Sequence, residues 1–215
     1  MADDARSLPN TALLETSFLY GGNAKFVEEM HEKFLNDPSS VDPSWRAFFQ
    51  QLHDDPGAVR AAVPHIRLIV DANESWDIAL LDRVGGMLAA LDVEVIEQPL
   101  PAARDADLRG FRSAVLLCAD ESCHTCRDLD RLPDGYGMVN IKLDKAGGLS
   151  EALRLTTATR ASGRKVMVGC MVATSLGIAP ATMLAPVADV VDLDGPLWLA
   201  HDRGPSLRFE EGCVY

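Results

Sequence analysis

Three carboxylates and a lysine recur at nearly even spacing through the second half of the chain. Asp71, Glu97, Asp120 and Lys142 are separated by 26, 23 and 22 residues, and each stands at or just after the end of a short apolar run. In "LIVDANESW" the run Ile66 to Val70 delivers its chain straight into Asp71, a costly place for a carboxylate unless cations or several donors answer it. If the runs are parallel strands, their ends share one rim and the three acids converge there. Converging carboxylates repel one another unless a hard cation sits among them, and an all-oxygen set without Cys or His suits Mg²⁺. A lysine beside such a cation can lose its proton near neutral pH, because a neighbouring positive charge lowers its pKa. Taken singly, each acid could equally be the N-cap of the helix that follows. All of them in register with a lysine point to a site.

The elements that must position these residues are legible as a βα rhythm. Apolar runs lie at Ile66 to Val70, Val93 to Ile96, Ala114 to Ala119, Met138 to Ile141, Lys165 to Val168 and Val187 to Val191, at steps of roughly 22 to 28 residues. Amphipathic stretches such as "DIALLDRVGGMLAAL" and "SEALRLTTATRASG" fill the gaps, the second with Gly163 as a stop signal. This pattern predicts an α/β fold with about six parallel strands, where a closed (β/α) barrel requires eight, and so an incomplete barrel. Its first and last strands would carry unpaired edges that favour self-association into a homo-oligomer.

Residues 1 to about 60 have a different texture. Phe26, Met30 and Phe34 recur at helical spacing, "NDPSSVDPSW" is a double Pro break, and Ser44 can cap a second helix bearing Trp45, Phe48 and Phe49. A small α-helical hairpin is predicted here, ahead of a domain spanning 61 to 215. The formal charge of -12 argues against nucleic acid and against an anionic membrane surface. No run approaches the length of a membrane span, and "MADDARSLPN" lacks a secretory pattern, so a cytoplasmic address is expected. Five cysteines are read as thiols. Weaker features read blandly: Cys123 and Cys126 as packed or exposed thiols, His124 as a solvated loop residue, Gly147 and Gly148 as a tight turn, Lys145 as a surface lysine. Ser175 is open between a helix cap and a pocket-lining residue.

Six segments in order, "LIVDANESW", "EVIEQPLP", "LLCADESCHT", "VNIKLDKAGGLSEAL", "GCMVATSLGIAPA" and "DVVDLDGPLWLA", resemble the enolase superfamily, and within it the dipeptide epimerases of the L-Ala-D/L-Glu type. The resemblance spans about residues 58 to 215. It implies that Asp71, Glu97 and Asp120 bind Mg²⁺, that Lys142 is one acid/base, and that Asp192 and Asp194 receive the α-ammonium of a small dipeptide substrate. It also implies a second base in a Lys-x-Lys pair on an earlier barrel strand. The lysines of this chain, Lys25, Lys33, Lys142, Lys145 and Lys165, contain no such pair. Residues 10 to 55 instead resemble the N-terminal segment of the decarboxylating component of 2-oxoglutarate dehydrogenase, a segment without thiamine chemistry. Two expectations follow: an epimerase-like enzyme impaired by the missing base, or an inactive metal-binding barrel fragment with a helical docking segment. Both read the chain as a join of two unrelated pieces.

Overall fold

In this computed structural model the described residues are 64–210 and 213–215, with short stretches at 33, 37–42, 46 and 60–61. The chain divides into two compact units, Met1–Ala62 and Val63–Tyr215. Of the first, the Pro break is visible: Asp37 caps a single 3₁₀ turn at Pro38–Ser40, its carboxylate accepting from the Ser39 amide at 2.9 Å. The expected helical hairpin, with Phe26, Met30, Phe34, Trp45, Phe48 and Phe49, lies outside the described residues.

The second unit is one parallel sheet of six strands: β1 Leu68–Asp71, β2 Val93–Glu97, β3 Leu116–Ala119, β4 Met138–Lys142, β5 Lys165–Gly169 and β6 Val190–Val191. Their order in the sheet is their order in the chain, so the sheet is an open half-barrel, and the incomplete barrel expected from six apolar runs is what the chain forms. β1 and β6 do not pair; across the gap between them Arg67, ion-paired to Glu94 at 2.7 Å, reaches the Asp189 carbonyl at 3.5 Å. The sixth strand is shorter than its apolar run, because Pro186 sets a 3₁₀ turn over Ala185–Val187 before β6 begins.

Helices cover the outer face. Asp77 accepts from the Leu80 amide at 2.8 Å and so caps α1, Ile78–Ala90. Single turns follow at α2 Cys126–Leu129 and α3 Leu143–Ala146, then the long α4 Leu149–Ala161 and another single turn at α5 Ser175–Ile178. α4 buries Ala152, Leu155, Thr156 and Thr159, a stripe at helical spacing against β4 and β5. It ends where the sequence indicates, at left-handed Gly163. An antiparallel ribbon of β7 Phe209–Glu210 with β8 Cys213–Val214, which no sequence pattern foretold, completes the described chain.

Strand alternation divides the core in two. Ile96, Leu117, Val139, Ile141, Val166 and Val168 point outward under the helices, while Val95, Cys118, Met138, Met167 and Val190 form one apolar layer on the inner face. Leu117 is 1% exposed at the centre of the outer layer. Leu117→Ala is therefore expected to cost about 2–5 kcal/mol of stability, read from the urea midpoint at constant m-value.

Candidate active site

One period-two step beyond the inner apolar layer, the same strands change character. Val95 is followed by Glu97, Cys118 by Asp120, Met138 by Asn140 and Lys142, Met167 by Gly169, and Val190 by Asp192. The chemistry thus sits on the C-terminal rim because the inward phase of β2, β3, β4 and β6 turns polar at or just past the strand's last residue. Asp71 and Glu97 are register partners in adjacent strands, and the Ala72 amide donates to the Glu97 carbonyl at 3.0 Å.

At the centre Asp120 is held by two ammonium groups. Lys142 Nζ donates to its Oδ2 at 2.7 Å, and Lys145 Nζ lies 2.8 Å from its Oδ1 and donates to Glu121 Oε1 at 2.8 Å. Each oxygen of this buried carboxylate thus faces one ammonium. Lys142 also stands 3.8 Å from Glu97 Oε1, the atom to which Asn140 Nδ2 donates at 2.6 Å. Asp71 accepts from the Asn73 amide at 2.9 Å.

Charge in this rim is unevenly answered. Desolvation, partly offset by the Asn140 hydrogen bond and compounded by Asp71 and Asp120, pushes the Glu97 carboxyl up to about 7. Asp71 is raised too, chiefly by desolvation. Desolvation works against Asp120 as well, but Lys142 and Lys145 overcome it and hold its pKa below the usual range. Burial pulls Lys142 down, yet Asp120 and then Glu97 outweigh it, so the amine is more firmly protonated than a free lysine. The partly neutral lysine expected from sequence depends on a neighbouring cation, whose charge would oppose this effect of Asp120 and Glu97.

Asp192 belongs to the same electrostatic neighbourhood, raised by desolvation and Asp194 and linked to Lys142 and Asp71. Asp194 is turned elsewhere and accepts from Trp198 Nε1 at 3.0 Å. The structure therefore brings Glu97, Asp120 and Lys142 into direct contact, with Asp71 and Asp192 at the margin. As the side chains stand, no three acidic, Cys or His groups among the described residues are gathered closely enough to hold a metal ion.

Residues that sequence reasoning passed over fix this geometry. Lys145, expected at the surface, has a side chain only 17% exposed and belongs to the rim. It reaches Asp120 from α3, one turn after Lys142. Gln98 is fully buried: its Oε1 accepts from the Asp120 and Ser122 amides at 2.8 and 3.2 Å, and its Nε2 donates to Leu100 O, Ser122 Oγ and Tyr136 Oη. It thereby ties the ends of β2 and β3 together. Ser175 neither caps α5, whose N-cap is Thr174, nor faces the rim. It donates to Asp202 and accepts from the Leu207 amide, anchoring the C-terminal stretch. Gly147 and Gly148 have φ of 78° and 119° and make the turn between α3 and α4. Cys123 is buried and Cys126 starts α2; all five cysteines are free, as expected. His124 is a partly exposed loop residue whose Nε2 is buried. A cleft of about 440 Å³ beside Trp76, Arg83 and Arg104 is lined by none of the four rim residues.

Among the described residues no helix is long and apolar enough to cross a membrane. Comparison with known proteins agrees with the geometry. Residues 53–215 match the family "Enolase C-terminal domain-like", and residues 16–56 match "2-oxoglutarate dehydrogenase N-terminus". The chain is 53% identical over 158 residues to the L-Ala-D/L-Glu epimerase of Escherichia coli K12, covering 74% of this chain and 49% of that protein. It superimposes with a TM-score of 0.72 on an Agrobacterium tumefaciens enolase family member with homology to dipeptide epimerases, solved with sodium and L-Ala-L-Glu. That pair shares 49% identity over 74% of this chain and 49% of the other. A Methylococcus capsulatus dipeptide epimerase solved with a Mg ion gives a TM-score of 0.66 at 35% identity, over 74% and 50% of the two chains. The chain spans about half the length of the curated relatives it matches. A six-stranded half-barrel whose rim carries acid, acid, acid and lysine on successive strands, matched over 53–215, belongs to the enolase C-terminal domain-like family.

Proposed function

We propose that this chain carries one half of a dipeptide epimerase site: the Mg²⁺-binding carboxylates Asp71, Glu97 and Asp120, and one acid/base, Lys142. The observation that carries the reading is Lys142 Nζ at 2.7 Å from Asp120 and 3.8 Å from Glu97, on a rim short of positive charge. The donor set fits a hard divalent cation. It is all oxygen, and Asp71 and Glu97 are buried acids, both raised chiefly by desolvation. Asp71, Glu97 and Asp120 are the residues that would hold the ion. Bound there, it would supply charge to stabilise an enediolate formed by removing a proton α to a carboxylate.

The chain's own residues do the rest. Lys142 takes the α-proton and returns it. Asp192 lies at the rim margin, where a substrate α-ammonium would meet its carboxylate and, beyond it, Asp194. Lys145 is bound to the same carboxylate as Lys142, and it is the first candidate for a second base should the two epimers interconvert. With no Lys-x-Lys pair in the sequence, one-face exchange is the activity this polypeptide supports. Residues 1–60 are read as a separate docking segment, supported by the match over 16–56. The second reading, a catalytically silent barrel fragment, is favoured by the absence of a Lys-x-Lys pair from the sequence.

Proton exchange separates the two. L-Ala-D-Glu and L-Ala-L-Glu are incubated with the purified chain and Mg²⁺ in deuterated water, and the glutamyl α-proton is followed by NMR. Deuterium should enter one epimer while neither converts to the other. No exchange in either epimer would establish the silent reading, and interconversion would require a second base.

A further inference from the structure

Within the rim, one polar residue has a place but no part in the chemistry just described. Asn140 is 2% exposed, in the middle of β4, two residues before Lys142 and therefore on the same inward phase. Its Nδ2 donates to Glu97 Oε1 at 2.6 Å, so a strand-four amide reaches a strand-two carboxylate across β3. The orientation of the amide is fixed by chemistry: a carboxylate only accepts, so the NH₂ end must face it. The other end, Oδ1, is buried without a partner.

The space for that amide comes from β5. Gly169 pairs in register with Lys142, and a Cβ built on it would lie 2.6 Å from Asn140 Oδ1, 2.7 Å from Nδ2 and 3.0 Å from Cγ. Those are the three outer atoms of the carboxamide; Oδ1 and Nδ2 are closer than real Cβ contacts come, and Cγ is tight. Gly169 shows no left-handed φ, so backbone freedom is not what requires a glycine there. What requires it is the Asn140 side chain lying against its α-carbon.

We infer that Asn140 is a positioning residue that brackets Glu97, pinning Oε1 so that the carboxylate keeps one orientation at the rim, and that Gly169 is glycine to admit this bracket. The metal-binding consequence rests on the reading under Proposed function; the bracket itself does not. With Oε1 engaged by the amide, the orientation in which Glu97 would meet a cation is fixed. The bracket thus acts as an outer-shell partner of a ligand, whose loss typically weakens metal affinity about 10- to 100-fold.

The test uses the full chain in a double-mutant cycle of Asn140→Ala and Gly169→Ala, with two readouts: urea unfolding, and Mn²⁺ affinity from the electron paramagnetic resonance of the free ion. If Gly169 makes room for Asn140, Gly169→Ala destabilises the parent and is near neutral in the Asn140→Ala background. Equal cost in both backgrounds would overturn the inference. A spectroscopic arm does not depend on metal: the hydrogen-bonded Asn140 side-chain amide proton should resonate downfield in the parent and lose that shift in Glu97→Ala. No change there would also overturn it. For Mn²⁺, Asn140→Ala and Gly169→Ala should each weaken binding about 10-fold or more, and equally. A parent that binds no Mn²⁺, with the cycle coupled and the amide shifted, would refute the metal reading and uphold the bracket. A parent that binds Mn²⁺ unchanged by either substitution would overturn the bracket.

Discussion

Lys142→Met is expected to suppress deuterium uptake at the glutamyl α-carbon by about 10²- to 10⁴-fold, the range of a general base, or roughly 3 to 5 kcal/mol of barrier. The fold should survive, because Asp120 keeps Lys145 at 2.8 Å when Lys142 is removed. Lys142→Arg separates base from charge. A guanidinium can still pair with Asp120 but does not give up its proton, so this variant should match Lys142→Met in exchange and the parent in stability. Exchange at parental rate in either variant would remove Lys142 from the mechanism. Exchange retained in Lys142→Arg alone would mean that the lysine supplies charge and another group takes the proton.

The second large effect is on stability. Asp120→Ala leaves the Lys142 and Lys145 ammoniums, with side chains 13% and 17% exposed, facing each other without the carboxylate between them. Breaking a buried ion pair by deleting one partner costs about 3–5 kcal/mol, since the survivor stays desolvated and unpaired. Glu121 at 2.8 Å from Lys145 and Glu97 at 3.8 Å from Lys142 give partial relief, which places the expected loss near the lower end, ~3 kcal/mol. Adding Lys145→Met to Asp120→Ala removes one stranded charge and should recover part of the loss. If the double variant were less stable than Asp120→Ala by the full cost of a buried truncation, the charges would not be the cause.

The rim residues could be read from sequence because each ends an apolar run, a contrast visible in one dimension. "LIVD" and "VEVIE" announce Asp71 and Glu97 by the change of character itself. Lys142 ends "MVNIK" in the same way. Lys145 carries no such mark: it sits three residues on, and only the single turn of α3 after β4 swings it back to Asp120. Asn140 was hidden inside its strand, although its phase with Lys142, two residues apart, was a usable signal of a shared face. Gln98 was eclipsed by Glu97, and its five hydrogen bonds depend on loops from β3 and β4 that no local pattern relates. The sixth strand is shorter than its apolar run because the 3₁₀ turn that Pro186 sets takes in Val187, a turn that composition does not mark. The half-barrel itself was legible by counting runs.

The sequential order of the six strands has a kinetic consequence. Every strand pairs only with its neighbours in the chain, so the longest connection to be closed before a pairing forms is about one βα unit. A complete barrel must also bring its first strand to its last, a closure across most of its length, with the attendant loss of chain entropy. This sheet has no such pairing, so no strand–strand pairing in it spans more than about one βα unit. Assembly can therefore propagate strand by strand from wherever the first βαβ contact forms. The segment from Glu97 to Lys142, which carries the rim, lies in the interior of that row and not at either end, where opening begins. Amides of β3 and β4 should accordingly exchange with solvent last, and those of β1 and β6 first.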